Sequence, residues 1–152
     1  RPRYRMLAAV ASGALASQFA YGIVPRLDLP LVDDLLRHAW IALPLTWFMV
    51  AGACNAINII DGAHGLAGGT ALIMFGGIAL AAGWSGDPRT LAEALAVMGA
   101  LVGFLAWNYP RGAIFAGDGG AYFLGFAIGE LAVLLVHRNS EVSPWFALLV
   151  LW

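Results

Sequence analysis

Two short stretches of this chain carry side chains that can do chemistry. The first, residues 55–69, reads Asn-Ala-Ile-Asn-Ile-Ile-Asp-Gly-Ala-His-Gly-Leu-Ala-Gly-Gly and sets Asn55, Asn58, Asp61 and His64 between long apolar runs. The second, residues 108–120, reads Asn-Tyr-Pro-Arg-Gly-Ala-Ile-Phe-Ala-Gly-Asp-Gly-Gly. An ionisable side chain at the end of a membrane helix is expensive unless it is hydrated, paired or bound, so such residues are functional-site candidates by default. Asp61 and Asp118, each flanked by glycine, suit a hard divalent cation that keeps several waters and bridges to phosphate oxygens. Magnesium is the natural choice, with manganese as a substitute. The glycines let backbone N–H groups approach an anion, and the loop 117–120, Gly117 included, leads into a helix N-terminus that favours negative charge. Phe115 offers either an aromatic face for a nucleobase or an anchor at the membrane interface. Arg111 reads as a phosphate contact or as a marker of the inner leaflet. The plainer alternatives are that Asn55 and Asn58 act as hydrogen-bonding glue between helices and that Asp61-Gly62 is a helix-ending turn.

The elements that must present these residues are membrane helices. Of 152 residues, 61% are hydrophobic and 11% charged, and the mean hydropathy is +0.81, well outside the range of a soluble domain. A net charge of −1, with eight scattered arginines and no lysine, gives no footprint for nucleic acid. A single cysteine, Cys54, excludes an internal disulfide and reads as a packed small residue. The N-terminal run lacks a clear cleavage site, so the first helix is expected to stay.

The fold class expected is all-α, a polytopic membrane helix bundle in one integral-membrane domain, with about five complete spanning helices and the start of a sixth. The spans are placed at 6–24, 39–60, 66–84, 91–107 and 121–136, and the sixth begins at Pro144. Pro44 interrupts the second span, which membrane helices tolerate. The segment 25–38 holds a Leu-rich stretch, 29–36, suited to the outer interface, and Asp33-Asp34 reads as a solvated turn there. Gly68-Gly69 and Gly76-Gly77 in the third span would allow close backbone approach between helices. Residues 85–90 form a turn, with Glu93 in the first turn of the fourth span. Glu130 falls in the middle of the fifth span and reads as structural rather than catalytic. His38 and His137 border the outer loops. By helix parity, residues 55–69 and 108–120 open on one side. Arg1, Arg3 and Arg5 ahead of the first span, with Asp28, Asp33 and Asp34 after it, make that side cytoplasmic.

Taken with their order and the intervening helix pair, the two stretches resemble the central cytoplasmic signatures of the polyprenyl-phosphate N-acetylhexosamine-1-phosphate transferases. This is the bacterial glycosyltransferase family 4 group that includes phospho-MurNAc-pentapeptide transferase and undecaprenyl-phosphate GlcNAc-1-phosphate transferases. Residues 1–15 also resemble the segment after that family's aspartate-pair motif. The resemblance implies a magnesium-dependent enzyme of the bacterial inner membrane. Such an enzyme moves a sugar 1-phosphate from a UDP-sugar to undecaprenyl phosphate or a similar polyprenyl phosphate and releases UMP. By position it implies Asp118 as metal ligand, Phe115 stacked on uracil, and Asn58 and Asp61 lining the nucleotide and catalytic pocket. Partners would be the two substrates and the bilayer, with a homodimer as a further candidate.

The chain departs from the pattern at four places. His64 stands where members carry aspartate or asparagine, which puts uridine contacts and sugar choice in question. Ala121 replaces a common serine, Ala113 a basic residue, and Arg111 a common proline. The aspartate-pair motif expected before Arg1 and the histidine-rich motif expected after Trp152 are not in the sequence. It therefore reads as the central part of a longer transferase, inactive by itself. The competing reading is a transporter or channel segment with Asp61, Asp118 and Glu130 on an ion path. The sequence leaves open which UDP-sugar is used and which polysaccharide is made.

Overall fold

A computed structural model describes residues 10–15 and 22–146. After a helical stretch at 10–15 come α1 (Pro30–Leu36), α2 (Ala39–Ile60), α3 (Leu66–Ser85), α4 (Pro88–Asn108) and α5 (Gly117–Arg138), and no strand is found among the described residues. α2 to α5 are long and apolar enough to cross a membrane. At 1.5 Å per residue, helices of this length span about 30 Å, the thickness of the hydrocarbon core. Trp40, Phe48, Ile59, Ile73, Trp84 and Trp107 point outward, as lipid-facing residues must, while Phe75, Ile78, Ile57, Ile128 and Leu135 form the core.

The second, third and fourth expected spans match α2, α3 and α4 closely. The first does not reach residue 24, because 22–27 are non-helical. Val24 precedes Pro25 and is steered away from helical geometry. Its N–H instead bonds the buried Thr46 hydroxyl on α2 at 2.9 Å. Residues 10–15 of that span are helical, and its residues 6–9 and 16–21, with all but residues 144–146 of the sixth, fall outside the described residues.

The turn expected over 85–90 shrinks to Gly86 and Asp87. Gly86 closes α3 with φ +72°, and Asp87 caps α4, accepting the Thr90 N–H at 3.0 Å and the Thr90 hydroxyl at 2.6 Å. Glu93 therefore lies one turn further into α4 than expected and is exposed. α5 likewise starts at Gly117 rather than residue 121, which puts Asp118 in its first turn.

α2 packs most extensively on α5, and α3 on α4. Backbone meets backbone where α2 and α5 pack. A methyl group on Gly125 would lie 2.5 Å from both the Ala53 carbonyl oxygen and the Cys54 Cα, and one on Gly129 would lie 3.1 Å from the Val50 Cα. Gly68 does abut Leu105 and Phe104 of α4, but Gly69 faces open space and Gly76 makes ordinary contact only. Cys54 is buried in the α2–α5 contact, as expected of a packed small residue.

At the bundle end away from residues 61–65 and 109–116, polar side chains tie the helices together. Asp87 also accepts a hydrogen bond from Asn139, and Arg138 donates to the Thr90 hydroxyl. The Arg26 guanidinium donates to the Ser140 and Val142 carbonyls and pairs with Asp28. Asp33 accepts the Leu27 N–H and Asp34 pairs with Arg37, so that carboxylate pair has local structural partners.

Candidate active site where two loops meet

The end of α2 and the start of α5 run antiparallel with their polar residues in register. Asn58 Nδ2 donates to Asp118 Oδ1 at 3.3 Å, and one turn back the Tyr122 hydroxyl donates to Asn55 Oδ1 at 3.3 Å. Cys54 Sγ approaches the Tyr122 carbonyl at 3.5 Å. The two asparagines do link helices, then, and one of them ends on a carboxylate. Asp61 ends α2 and Asp118 opens α5. Burial raises the Asp61 carboxyl above its ordinary value, and the negative charge of Asp118 raises it further. Asn58, one turn before Asp61 on α2, reaches Asp118 on α5, so both carboxylates lie at one end of the bundle.

The aromatic and basic candidates sit on the flanking loops. The His64 and Phe115 rings are 5.3 Å apart at 50°, and both side chains are exposed. Gly112, at φ +60°, lies directly against the His64 ring, in space that a Cβ would fill. Arg111, beside it, is exposed. Gly117 adopts φ +61°, a left-handed conformation that glycine takes without strain and that turns the chain into α5.

One side chain in this region had no role in the sequence reading. Asn108, the last residue of α4, is buried; its Oδ1 accepts the Gly65 N–H at 2.6 Å and its Nδ2 donates to the Ile114 carbonyl at 2.8 Å. Its backbone carbonyl takes the Gly112 N–H at 2.7 Å. The Tyr109 ring covers Gly65, which sits at φ +79° ahead of α3. An asparagine closing an apolar span, just before Tyr-Pro, was the available signal, since a buried amide must find partners for both ends.

Among the described residues no three His, Cys, Asp or Glu side chains converge on one point. A cation here would draw on the Asp61 and Asp118 carboxylates, with its remaining ligands from water and substrate. That donor set fits magnesium, which takes one or two carboxylates and keeps several waters. A cation held by both acids would also remove the like-charge repulsion that raises Asp61. Glu130 stands apart from this site. It is buried twelve residues along α5, with neither carboxyl oxygen hydrogen-bonded among the described residues, against Gly22 and close to Leu134.

Comparison with known proteins places these loops in context. Residues 1–136 match the model of the family described as glycosyl transferase family 4. The chain is 37% identical over 112 residues to a probable undecaprenyl-phosphate N-acetylglucosaminyl 1-phosphate transferase of Bacillus subtilis, covering 74% of this chain and 31% of that protein. It is 45% identical over 98 residues to a phospho-N-acetylmuramoyl-pentapeptide-transferase of Oceanobacillus iheyensis, covering 63% and 30%. Against the enzyme of that name from Bacillus cytotoxicus it is 35% identical over 131 residues, covering 86% and 40%. The chain thus spans about a third of the length of the curated relatives it matches.

Proposed function

Because the chain belongs to glycosyl transferase family 4, we propose that the protein containing it transfers a sugar 1-phosphate, of the N-acetylhexosamine class, from a UDP-sugar to undecaprenyl phosphate or a similar polyprenyl phosphate. UMP is the other product. The observation that carries this reading is the hydrogen bond from Asn58 of α2 to Asp118 of α5, which sets Asp118 and the helix-ending Asp61 at one end of a set of membrane-length helices. A lipid phosphate sits at the headgroup plane with its isoprenoid tail among such helices, so the acceptor and the two acids would share one level.

Phosphoryl transfer depends mainly on placement and charge neutralisation. Asp118 and Asp61 would hold magnesium, whose charge, when bound, offsets that of the diphosphate oxygens. The α5 N-terminus points its free N–H groups toward the same region, and Arg111 supplies a nearby cation for phosphate. Phe115, with His64 beside it, offers a face for the uracil ring. The loops would be cytoplasmic, on the side where the sugar nucleotide is made.

The activity is proposed for the whole protein, and residues 1–152 alone are expected to release no UMP. The ion-path alternative has less support. Glu130 lies about 18 Å along α5 from Asp118, and every residue between them is apolar or glycine except Tyr122.

The test is UMP release by the complete open reading frame with UDP-GlcNAc, undecaprenyl phosphate and magnesium. Asp118→Asn should lower the rate by at least about a hundredfold, the scale of losing a main electrostatic stabiliser of the transition state. A variant that keeps the parent rate would sink the assignment.

A further inference from the structure

We propose that Glu130 is a proton-binding site, and that its proton latches the non-helical connection 22–24 onto the outer half of α5. The proposal does not depend on the transferase reading.

Glu130 is only 7% exposed, and neither carboxyl oxygen has a hydrogen-bond partner among the described residues. It stands about 12 Å along α5 from Arg138, where the helix ends. A methyl group on Gly22 would lie 3.1 Å from Glu130 Oε1 and 2.9 Å from Leu134 Cδ2, so the chain runs directly over the carboxyl. One residue on, the Ile23 carbonyl lies 3.2 Å from His137 Nδ1, and the Val24 N–H then meets the Thr46 hydroxyl. Glu130, Leu134 and His137 share one face of α5 at helical spacing. Residues 22 and 23 follow that face and seal the acid beneath them.

A carboxyl sealed in this way must be paired, hydrated or neutral. Among the described residues no cation is placed to pair it. α2 and α3 carry no charged residue, and Cys54 of α2 packs more than a turn away at Gly125. Arg138 is turned to the Thr90 hydroxyl, and Arg26 to the Ser140 and Val142 carbonyls and to Asp28. Asp28 and Glu141 have the wrong sign, and Arg89 and Glu93 of α4 are exposed. His137 is engaged with Ile23. A metal ion would need several further oxygen ligands, and no three His, Cys, Asp or Glu side chains converge among the described residues. A proton needs neither extra ligands nor room.

When the connection lifts, water reaches the carboxyl and the proton can leave. Opening therefore releases a proton, and the sign of the pH dependence follows. The latch is firm at low pH and weakens as pH rises above the ordinary carboxyl value, about 4.3, until the closed form ionises too. Across that window the opening equilibrium grows by up to about tenfold per pH unit.

The experiment uses the whole protein in detergent, with Glu130→Gln, Glu130→Met and His137→Gln. Hydrogen exchange is followed in a peptide covering 22–29 from about pH 5 to about pH 8 and corrected for the intrinsic rate of exchange at each pH. In the parent the corrected opening should climb with pH. It should be flat in Glu130→Gln and in Glu130→Met, which is of similar length and does not rely on burying an amide. His137→Gln should keep the climb, because the imidazole is not the sensor. Infrared spectra at neutral pH should show a protonated-carboxyl C=O band in the parent that both Glu130 variants lack, unchanged when sodium replaces choline in the buffer.

A climb that persists in both Glu130 variants, or one that vanishes in His137→Gln, would overturn the proposal. So would a parent without the carboxyl band. Loss of the band on adding sodium would assign the site to a metal cation and overturn it equally.

Discussion

Two aspartates at opposite ends of the bundle show how neighbours decide what a carboxylate does. At Asp87 burial pushes the carboxyl upward, but hydrogen bonds from the Thr90 hydroxyl and N–H and from Asn139, with the charge of Arg138, outweigh it and hold the group below its ordinary value. A carboxyl lowered in the folded state adds stability above its unfolded value, about 3.9, and that stability is lost as pH falls through the folded value. In detergent, the thermal midpoint should therefore drop as pH is taken from about 6 to about 3, and Asp87→Asn should flatten that drop. At neutral pH the substitution should cost about 1–3 kcal/mol, the range for hydrogen bonds to a charged group. Parallel pH profiles for parent and variant would refute the assignment. Asp61 has the opposite sign. Raised by burial and then by Asp118, the Asp61 carboxylate opposes folding when it is ionised.

At the scale of elements, the contact between α2 and α5 sets the register of the site. Read from the loop end, Asn58 meets Asp118, Asn55 meets Tyr122, Cys54 meets Gly125 and Val50 meets Gly129. The two glycines let the helix backbones touch, and the two asparagines become useful only at that spacing. Gly125→Ala would press a methyl group into backbone atoms, which cannot rotate away as a side chain can. It should destabilise by about 1–3 kcal/mol, the usual cost of overpacking, or more if the helices separate. Gly99→Ala on α4, where the space is open, should be neutral or stabilising by up to about 1 kcal/mol through helix propensity. Detergent melting midpoints of the two variants compare these directly. Equal midpoints would show that α2 and α5 are not in close contact.

On the scale of the whole molecule, the bundle separates its polar residues into two ends. One holds Asp61, Asp118 and the aromatic pair; the other holds Asp87, Thr90, Asn139 and the Arg26 contacts to the chain after α5. Four membrane-length helices lie between the two ends. If the first end is cytoplasmic, a membrane-impermeant thiol reagent added to intact cells should label Ser140→Cys and leave Ala63→Cys unmodified, and inverted vesicles should reverse the pattern. Cys54 is buried and should add little background. Labelling of both positions from one side would exclude a spanning bundle with this topology.

The sequence alone determined that α2, α3 and α4 form and roughly where they stop, because the transfer energy of a twenty-residue apolar segment is a local sum that needs no partner. It also determined that residues 61 and 118 share an end, since two crossings return the chain to the side it left. The true start of α5, the backbone contacts made at Gly125 and Gly129, and the bonds of Asn108 were decided by tertiary structure. A helix terminus is settled by what satisfies its free backbone groups. Likewise, whether a glycine or an amide matters depends on the atom opposite it, contributed by a segment tens of residues away.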